Sequence, residues 1–182
     1  PTDINAHPHD NQDGTIAVVH NGIIENYQQL KQRLINRGYK FVSDTDTEVL
    51  VQLIDYYYKG NPLEAITKVL HRVEGSYALG ILFADHPEEI FAVRKDCPLI
   101  VGTSSEGSFI ASDVPAILKY TREVYYIDNQ EVVALKDNEI HFYTVDEEEI
   151  QKTPSHVDWD AEAVAKGGYE HFMLKEIYDQ PR

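Results

Sequence analysis

The sequence predicts an α+β fold in which helices come first, short antiparallel strands follow, and a last helix closes the chain. Apolar residues recur at helical spacing in three segments between Ile23 and Leu70. From Gly75 onward the spacing becomes that of strands, in short runs separated by Gly, Pro, Asp and Asn. Helices separated in this way from many strands are typical of a single layered α+β domain.

The first strand is predicted over residues 15–20, where a β-branched run follows the turn dipeptide Asp13-Gly14. The next apolar residues recur at steps of four, three and four: Ile23, Tyr27, Leu30 and Leu34. This pattern indicates a helix that Gly38 ends. Asn21-Gly22 is therefore expected between a strand and a helix. A further brief strand is expected over residues 39–43.

Two more helices are predicted before the strand-rich half. Thr45-Asp46-Thr47-Glu48 has the spacing of a capping box, so a helix should begin there. Gly60-Asn61-Pro62 ends it and starts the next helix, which stops before Gly75. The expected strands cover residues 76–84, 90–94, 98–102, 108–112, 122–128, 131–136 and 139–145. The acidic run 146–149 is expected as a solvated strand exit or a loop, and the last helix over 169–178.

Composition excludes several classes of protein. The 182 residues carry 16 basic and 31 acidic side chains, a net charge of -15, which excludes a basic surface for nucleic acid. Cys97 is the single cysteine, so neither a disulfide scaffold nor a four-cysteine zinc site is possible within these residues. No apolar run has the roughly 18 residues of a membrane span, and the chain is predicted to be cytoplasmic.

Two histidines and one cysteine are weak candidates for chemistry. His7 and His9, in Asn-Ala-His-Pro-His, could share a metal or an anion, but no third ligand lies at a recognisable spacing and a plain loop explains them as well. Cys97 follows Lys95, which could favour its thiolate, but no histidine is adjacent in sequence. We therefore interpret Cys97 as structural.

Two other segments have the residue types of an amide-cleaving site. If Asn21-Gly22 precedes a helix, its side-chain amide and backbone N–H can both donate to a developing oxyanion. The alternative is an ordinary Asn-Gly turn. Asp46, in a first helical turn, can pair with a ligand ammonium, although the helix dipole alone also explains a carboxylate there.

Six segments, in order, carry a resemblance to a known family: Asn-Ala-His-Pro-His, Val-Val-His-Asn-Gly-Ile-Ile-Glu-Asn-Tyr, Ser-Asp-Thr-Asp-Thr-Glu-Val, Gly-Ser-Tyr-Ala-Leu-Gly, Phe-Ile-Ala-Ser-Asp and Leu-Lys-Glu-Ile-Tyr-Asp-Gln-Pro. Together they resemble the glutaminase domain of glucosamine-6-phosphate synthases, which are class II glutamine amidotransferases with the N-terminal-nucleophile hydrolase fold. Purine-pathway amidotransferases share His-Asn-Gly but tend to lack the first and third of these segments.

The resemblance implies a fold and a set of site residues. The fold is an α/β/β/α sandwich of two antiparallel sheets, here incomplete at the N-terminus. Asn21 and Gly22 look like the family's oxyanion hole, Asp46 like the carboxylate that holds the α-ammonium of glutamine, and His7 like a histidine lining the glutamine site. His9 and His20 receive no role. No metal or organic cofactor is implied for the glutaminase step.

The sequence departs from the family at its start, where residue 1 is proline and not the nucleophilic cysteine. Residues 1–182 are therefore expected to be a partial glutaminase domain, without the upstream nucleophile segment and the downstream sugar isomerase domains, and inactive alone. The implied reaction releases ammonia from glutamine to aminate fructose 6-phosphate, in a protein expected to form a homo-oligomer. The alternative is a non-catalytic, amino-acid-binding regulatory domain.

Overall fold

The computed structural model describes residues 7–136 and 139–158. The helices are α1 Tyr27–Asn36, α2 Asp46–Tyr57, α3 Pro62–Leu70 and α4 Val114–Ile117. The strands are β1 His9–Asp10, β2 Ile16–Ile24, β3 Gly75–Phe83, β4 Glu89–Lys95, β5 Ile100–Ser104, β6 Gly107–Ala111, β7 Glu123–Tyr126, β8 Val132–Lys136, β9 Glu139–Tyr143, β10 Glu149–Ile150 and β11 Ser155–His156. The helix expected over 169–178 lies outside the described residues.

The chain forms two compact units, and the first contains residues up to 99 together with 127–152. Its sheet has seven antiparallel strands in the order β1-β2-β3-β4-β8-β9-β10. Alternate residues of the central strands, such as Val18, Leu79 and Val93, are buried in one core with residues of α1, α2 and α3. The period of two along each strand therefore gives this sheet one helix-covered face.

The second unit contains residues 100–126 and the chain from residue 153. Its four antiparallel strands have the order β11-β7-β5-β6, and α4 packs with them around a small core that includes Ile100, Ile117 and Val124. Two antiparallel sheets with helices confirm the predicted α+β class. α4, which Asp113 caps through a 3.0 Å bond to the Ala116 N–H, was not predicted.

The predicted start of α2 is confirmed, and the predicted strand before it is wrong. The Thr45 hydroxyl accepts a hydrogen bond from the Glu48 N–H at 3.4 Å, as an N-cap does. Residues 39–43 form no strand. Their N–H groups at Val42 and Ser43 donate instead to the Glu48 carboxylate, at 2.9 and 2.6 Å, and a side chain thus replaces the neighbouring strand.

Candidate active site

Asn21 and Gly22 lie inside β2, and the prediction that they join a strand to a helix is wrong. β2 continues to Ile24, and α1 begins only at Tyr27. All nine residues of β2 pair with β3. This long-range pairing overrides the helical spacing that starts at Ile23. The donors at residues 21 and 22 are therefore held by the sheet, without the helix dipole that the sequence suggested.

Gly22 occupies a position that no other residue can adopt without strain. Its φ is +107°, and a Cβ built on it would lie 2.1 Å from the carbonyl oxygen of Ser76. Gly75, which pairs with Ile24, has φ +131° and the same conflict with the Ile23 carbonyl oxygen, also at 2.1 Å. Two glycines on facing strands thus allow β2 and β3 to approach closely at the end of the ladder.

The Gly22 N–H faces away from β3. Two backbone hydrogen bonds of 2.8 Å close the ladder, one at each end. The Ala84 N–H donates to the Thr15 carbonyl oxygen, and the Glu25 N–H donates to the Glu74 carbonyl oxygen. Because hydrogen-bonded and non-hydrogen-bonded pairs alternate in an antiparallel ladder, the odd-numbered residues of β2 bond to β3 and the even-numbered ones face the opposite edge. On that edge β1 pairs with Ala17 and Val18 and ends there. The Gly22 N–H therefore lies on a stretch of edge that β1 does not cover.

Asp46 is at the same edge of the sheet, although it comes from the first turn of α2. Its Oδ2 accepts a 2.9 Å hydrogen bond from the Ile24 N–H, which faces the same way as that of Gly22. Its Oδ1 lies 3.8 Å from His20 Nδ1, and 22% of the side chain is exposed. The carboxylate is thus fixed two residues beyond Gly22, and one oxygen has no close hydrogen bond among the described residues.

His20, to which the sequence assigned no role, lies beside Asp46. Its side chain is only 2% exposed, and Nδ1 lies 3.0 Å from the Thr47 hydroxyl. Nε2 is buried without a hydrogen-bond partner among the described residues. Burial lowers the pKa of His20, the Asp46 carboxylate raises it, and His7 lowers it. A polar residue on the same strand face as Ile16 and Val18 was the signal that the sequence offered.

His7 and His9 lie together, with ring centroids 5.2 Å apart in an edge-to-face arrangement. His7 is exposed, and its charge lowers the pKa of His20. His9 is buried, with Nε2 3.1 Å from the Thr45 hydroxyl. Within residues 7–136 and 139–158, no three His, Cys, Asp or Glu side chains converge as a metal site would require, so the metal alternative gains no support.

A chain of hydroxyl groups connects His9 to the buried carboxylate of Glu48. That carboxylate accepts from the Val42 and Ser43 N–H groups and from the Ser43 hydroxyl, which lies at 2.7 Å. Because the Ser43 proton is used there, the Thr45 hydroxyl, 3.0 Å away, must donate to Ser43. The Thr45 oxygen is then left to accept from His9, so His9 carries its proton on Nε2. This network holds the chain just before Asp46.

Cys97 is partly exposed and follows Asp96, a non-glycine residue with φ +57° just after β4. In the part of the chain that the structure describes, no histidine forms a hydrogen bond with its thiol. This arrangement agrees with a structural role and gives the thiol no base.

Comparison with known proteins identifies the family of this chain. Residues 3–119 match a family model described as a glutamine amidotransferase domain. The match covers more than half of the chain, which therefore belongs to the glutamine amidotransferase family.

Among its relatives are glutamine–fructose-6-phosphate aminotransferases (isomerizing) from Clostridium acetobutylicum and Thermus thermophilus. The first is 59% identical over 182 residues and the second 48% identical over 181. Each alignment covers 100% of this chain and 30% of the relative. The chain thus spans under a third of the length of these enzymes, and the resemblance drawn from its motifs is confirmed.

Solved structures of amidotransferases share the fold. The glutamine phosphoribosylpyrophosphate amidotransferase from B. subtilis, complexed with ADP and GMP, is 24% identical with a TM-score of 0.65, over 78% of this chain and 32% of that one. A glutamine aminotransferase class-II domain protein from Silicibacter pomeroyi is 14% identical with a TM-score of 0.58, over 75% and 70% of the two chains. No helix in the described ranges is long and apolar enough to cross a membrane.

Proposed function

We propose that this chain binds glutamine and stabilises the oxyanion in a glutaminase site that produces glutamate and ammonia. One observation carries the proposal. The Asp46 carboxylate and the Gly22 N–H, from elements more than 20 residues apart, lie on the same edge of β2, beyond the residues that pair with β1. An anionic group for an ammonium and a fixed donor for an oxyanion are what an α-amino acid amide requires of its site.

Asp46 binds the α-ammonium of glutamine in this proposal. The bond from the Ile24 N–H to Oδ2 fixes the carboxylate in the first turn of α2. Oδ1 is left to face the ligand. His7, which is exposed and packs edge-to-face against His9, lines the glutamine site.

Asn21 and Gly22 form the oxyanion hole. Asn21 is exposed, and its amide makes no hydrogen bond with the described part of the chain. When a thiolate attacks the amide carbon of glutamine, the carbonyl oxygen becomes an oxyanion, which the Asn21 amide and the Gly22 N–H stabilise. Loss of one such donor typically costs about 3 kcal/mol in the transition state. The tetrahedral intermediate then expels ammonia, and water hydrolyses the thioester to glutamate.

In this proposal Cys97 does not supply the thiolate, since no histidine of the described residues forms a hydrogen bond with its thiol. We therefore propose that residues 1–182 form part of a glutaminase domain, that the nucleophile lies outside them, and that this chain alone does not turn over glutamine. The names of the relatives support a longer protein in which the ammonia aminates fructose 6-phosphate to glucosamine 6-phosphate. Homo-oligomer formation and a cytoplasmic location stay predictions.

Isothermal titration of the chain with glutamine and glutamate tests the site. Asp46→Asn should weaken binding at least tenfold, because the ammonium loses its counter-ion. The matched control is Glu64→Gln, which removes a first-turn carboxylate from α3, where its partner is the exposed Lys68. Equal affinities in the Asp46→Asn and control variants would contradict the assignment of Asp46.

Activity measurements distinguish the proposed glutaminase from the alternative of a non-catalytic, amino-acid-binding regulatory domain. Ammonia release by the 182-residue chain that persists in Cys97→Ala would contradict the proposed external nucleophile. In the longer protein proposed above, Asn21→Ala should lower kcat by about 100-fold or more with little change in KM, because its bond forms only in the transition state. Tight, reversible glutamine binding with no turnover in the longer protein would favour a regulatory domain instead.

A further inference from the structure

A concave pocket between α1, α2 and the chain after α3 lies outside the candidate active site. Its volume is about 280 Å³, and three leucines of α1 and α2 form its apolar part. The remaining lining residues are Arg33, Arg37, Arg72, Tyr56 and Tyr57. Every charged residue of the lining is therefore an arginine, in a chain with 31 acidic and 16 basic residues.

The three arginines are placed by separate features of the fold. Arg33 lies in the last turn of α1, and Arg37 is the residue that caps its C-terminus. Because they are four residues apart, they lie on one side of the helix. Arg72 follows α3, and its carbonyl oxygen accepts a 2.8 Å hydrogen bond from the Asn26 side chain. The same side chain accepts from the Glu74 N–H at 3.0 Å, which ties the backbone around Arg72 to the start of α1.

No carboxylate of the described residues lies within ion-pair distance of these guanidinium groups. Asp55, which precedes Tyr56, accepts hydrogen bonds of 2.7 Å from both Asn11 and Tyr39 instead. Arginine stems often cover apolar surface. That role alone does not explain three unpaired positive charges around one cavity in an acidic chain.

The geometry points to a binding site for a small phosphomonoester. Guanidinium groups match phosphate oxygens with paired N–H donors, and three of them suit a dianion better than a single carboxylate. The Arg37 guanidinium lies 4.9 Å from the centre of the Tyr56 ring, which helps to orient it. A volume near the lower end of the range of about 300–1,000 Å³ suits a ligand the size of a sugar phosphate. No residue of this site belongs to the proposed glutaminase site.

Titration of the full chain with inorganic phosphate, ribose 5-phosphate and ribose tests the site. Calorimetry and amide NMR spectra are recorded at constant ionic strength, set with sodium chloride. Both phosphate-bearing ligands should bind saturably and shift the amide signals of Tyr56, Tyr57 and Arg72, whereas ribose should not. Arg72→Gln should weaken binding about tenfold or more, and the triple variant Arg33→Gln, Arg37→Gln, Arg72→Gln should abolish it.

The control is a second triple variant with the same change in charge, Lys40→Gln, Lys59→Gln, Lys119→Gln. Both triples lower the net charge from -15 to -18, and all three lysines are exposed outside the pocket. Circular dichroism and Tm should match the unmodified chain in each variant, and Arg72→Gln alone serves if the arginine triple does not fold. Equal weakening by both triples, or no saturable binding of ribose 5-phosphate, would overturn the proposal. Glutamine binding tests the other site separately.

Discussion

Gly22→Ala tests the close approach of β2 and β3 at the candidate oxyanion hole. The alanine would have to adopt φ +107°, which costs an L-residue about 1–2 kcal/mol. Its Cβ would also lie 2.1 Å from the Ser76 carbonyl oxygen, so the strands would have to separate. Overpacking of this kind costs about 1–3 kcal/mol. The expected loss in the free energy of unfolding is therefore roughly 2–5 kcal/mol.

Gly38→Ala is the matched control, because it isolates the backbone contribution. Gly38 has φ +95°, similar to Gly22, but a Cβ there would meet nothing within 4 Å. It should cost only the first contribution, about 1–2 kcal/mol. Urea unfolding of both variants, followed by circular dichroism, gives the two free energies. Equal losses, or a smaller loss for Gly22→Ala, would refute the steric argument.

The buried polar groups around Asp46 give two further predictions. The His20 imidazole should titrate by NMR below about 6.5 because burial disfavours its charged form, and Asp46→Asn should lower the pKa further. Because the pKa of His20 is lower in the folded chain than in the unfolded one, the unfolded chain binds more protons near this pH. The contribution of His20 to the free energy of unfolding is therefore lost as the pH falls below about 6.5. A His20 titration midpoint above 6.5 would contradict this. Glu48→Gln should cost about 2–4 kcal/mol in urea unfolding, since its amide NH₂ would face N–H and O–H donors, and a loss under about 1 kcal/mol would argue against the network.

Local signals in the sequence predicted local structure well. The start of α2 depends on Thr45 and the N–H three residues later, and the start of α3 on Asn61 and Pro62. Neighbours in the chain make these contacts, so their spacing is visible in the sequence. The strand prediction over 39–43 was wrong, although the alternation in the sequence is real. The Glu48 carboxylate accepts the hydrogen bonds that backbone N–H groups there would give to a neighbouring strand.

The sequence indicated which residues form the candidate site, but not their structural setting. The motifs around Asn21 and Asp46 indicated the family, and the family model confirms it. The expected helix N-terminus at Gly22 is replaced by a strand, because β3 begins more than 50 residues later and its pairing is invisible to local spacing. Within the helical repeat, Tyr27, Leu30 and Leu34 belong to α1 and pack against the core, whereas Ile23 lies in β2 and is 68% exposed.

By itself, the sequence determined the α+β class, the caps of two helices, the acidic character and the residue types of a glutamine amidotransferase site. Only the tertiary structure decided that the Gly22 N–H and the Asp46 carboxylate share one edge of β2, and that His20 is buried beside them. The reason is physical. A cap forms between residues a few positions apart, whereas this site forms only when β3 has fixed the direction of each N–H in β2 and α2 has packed against it.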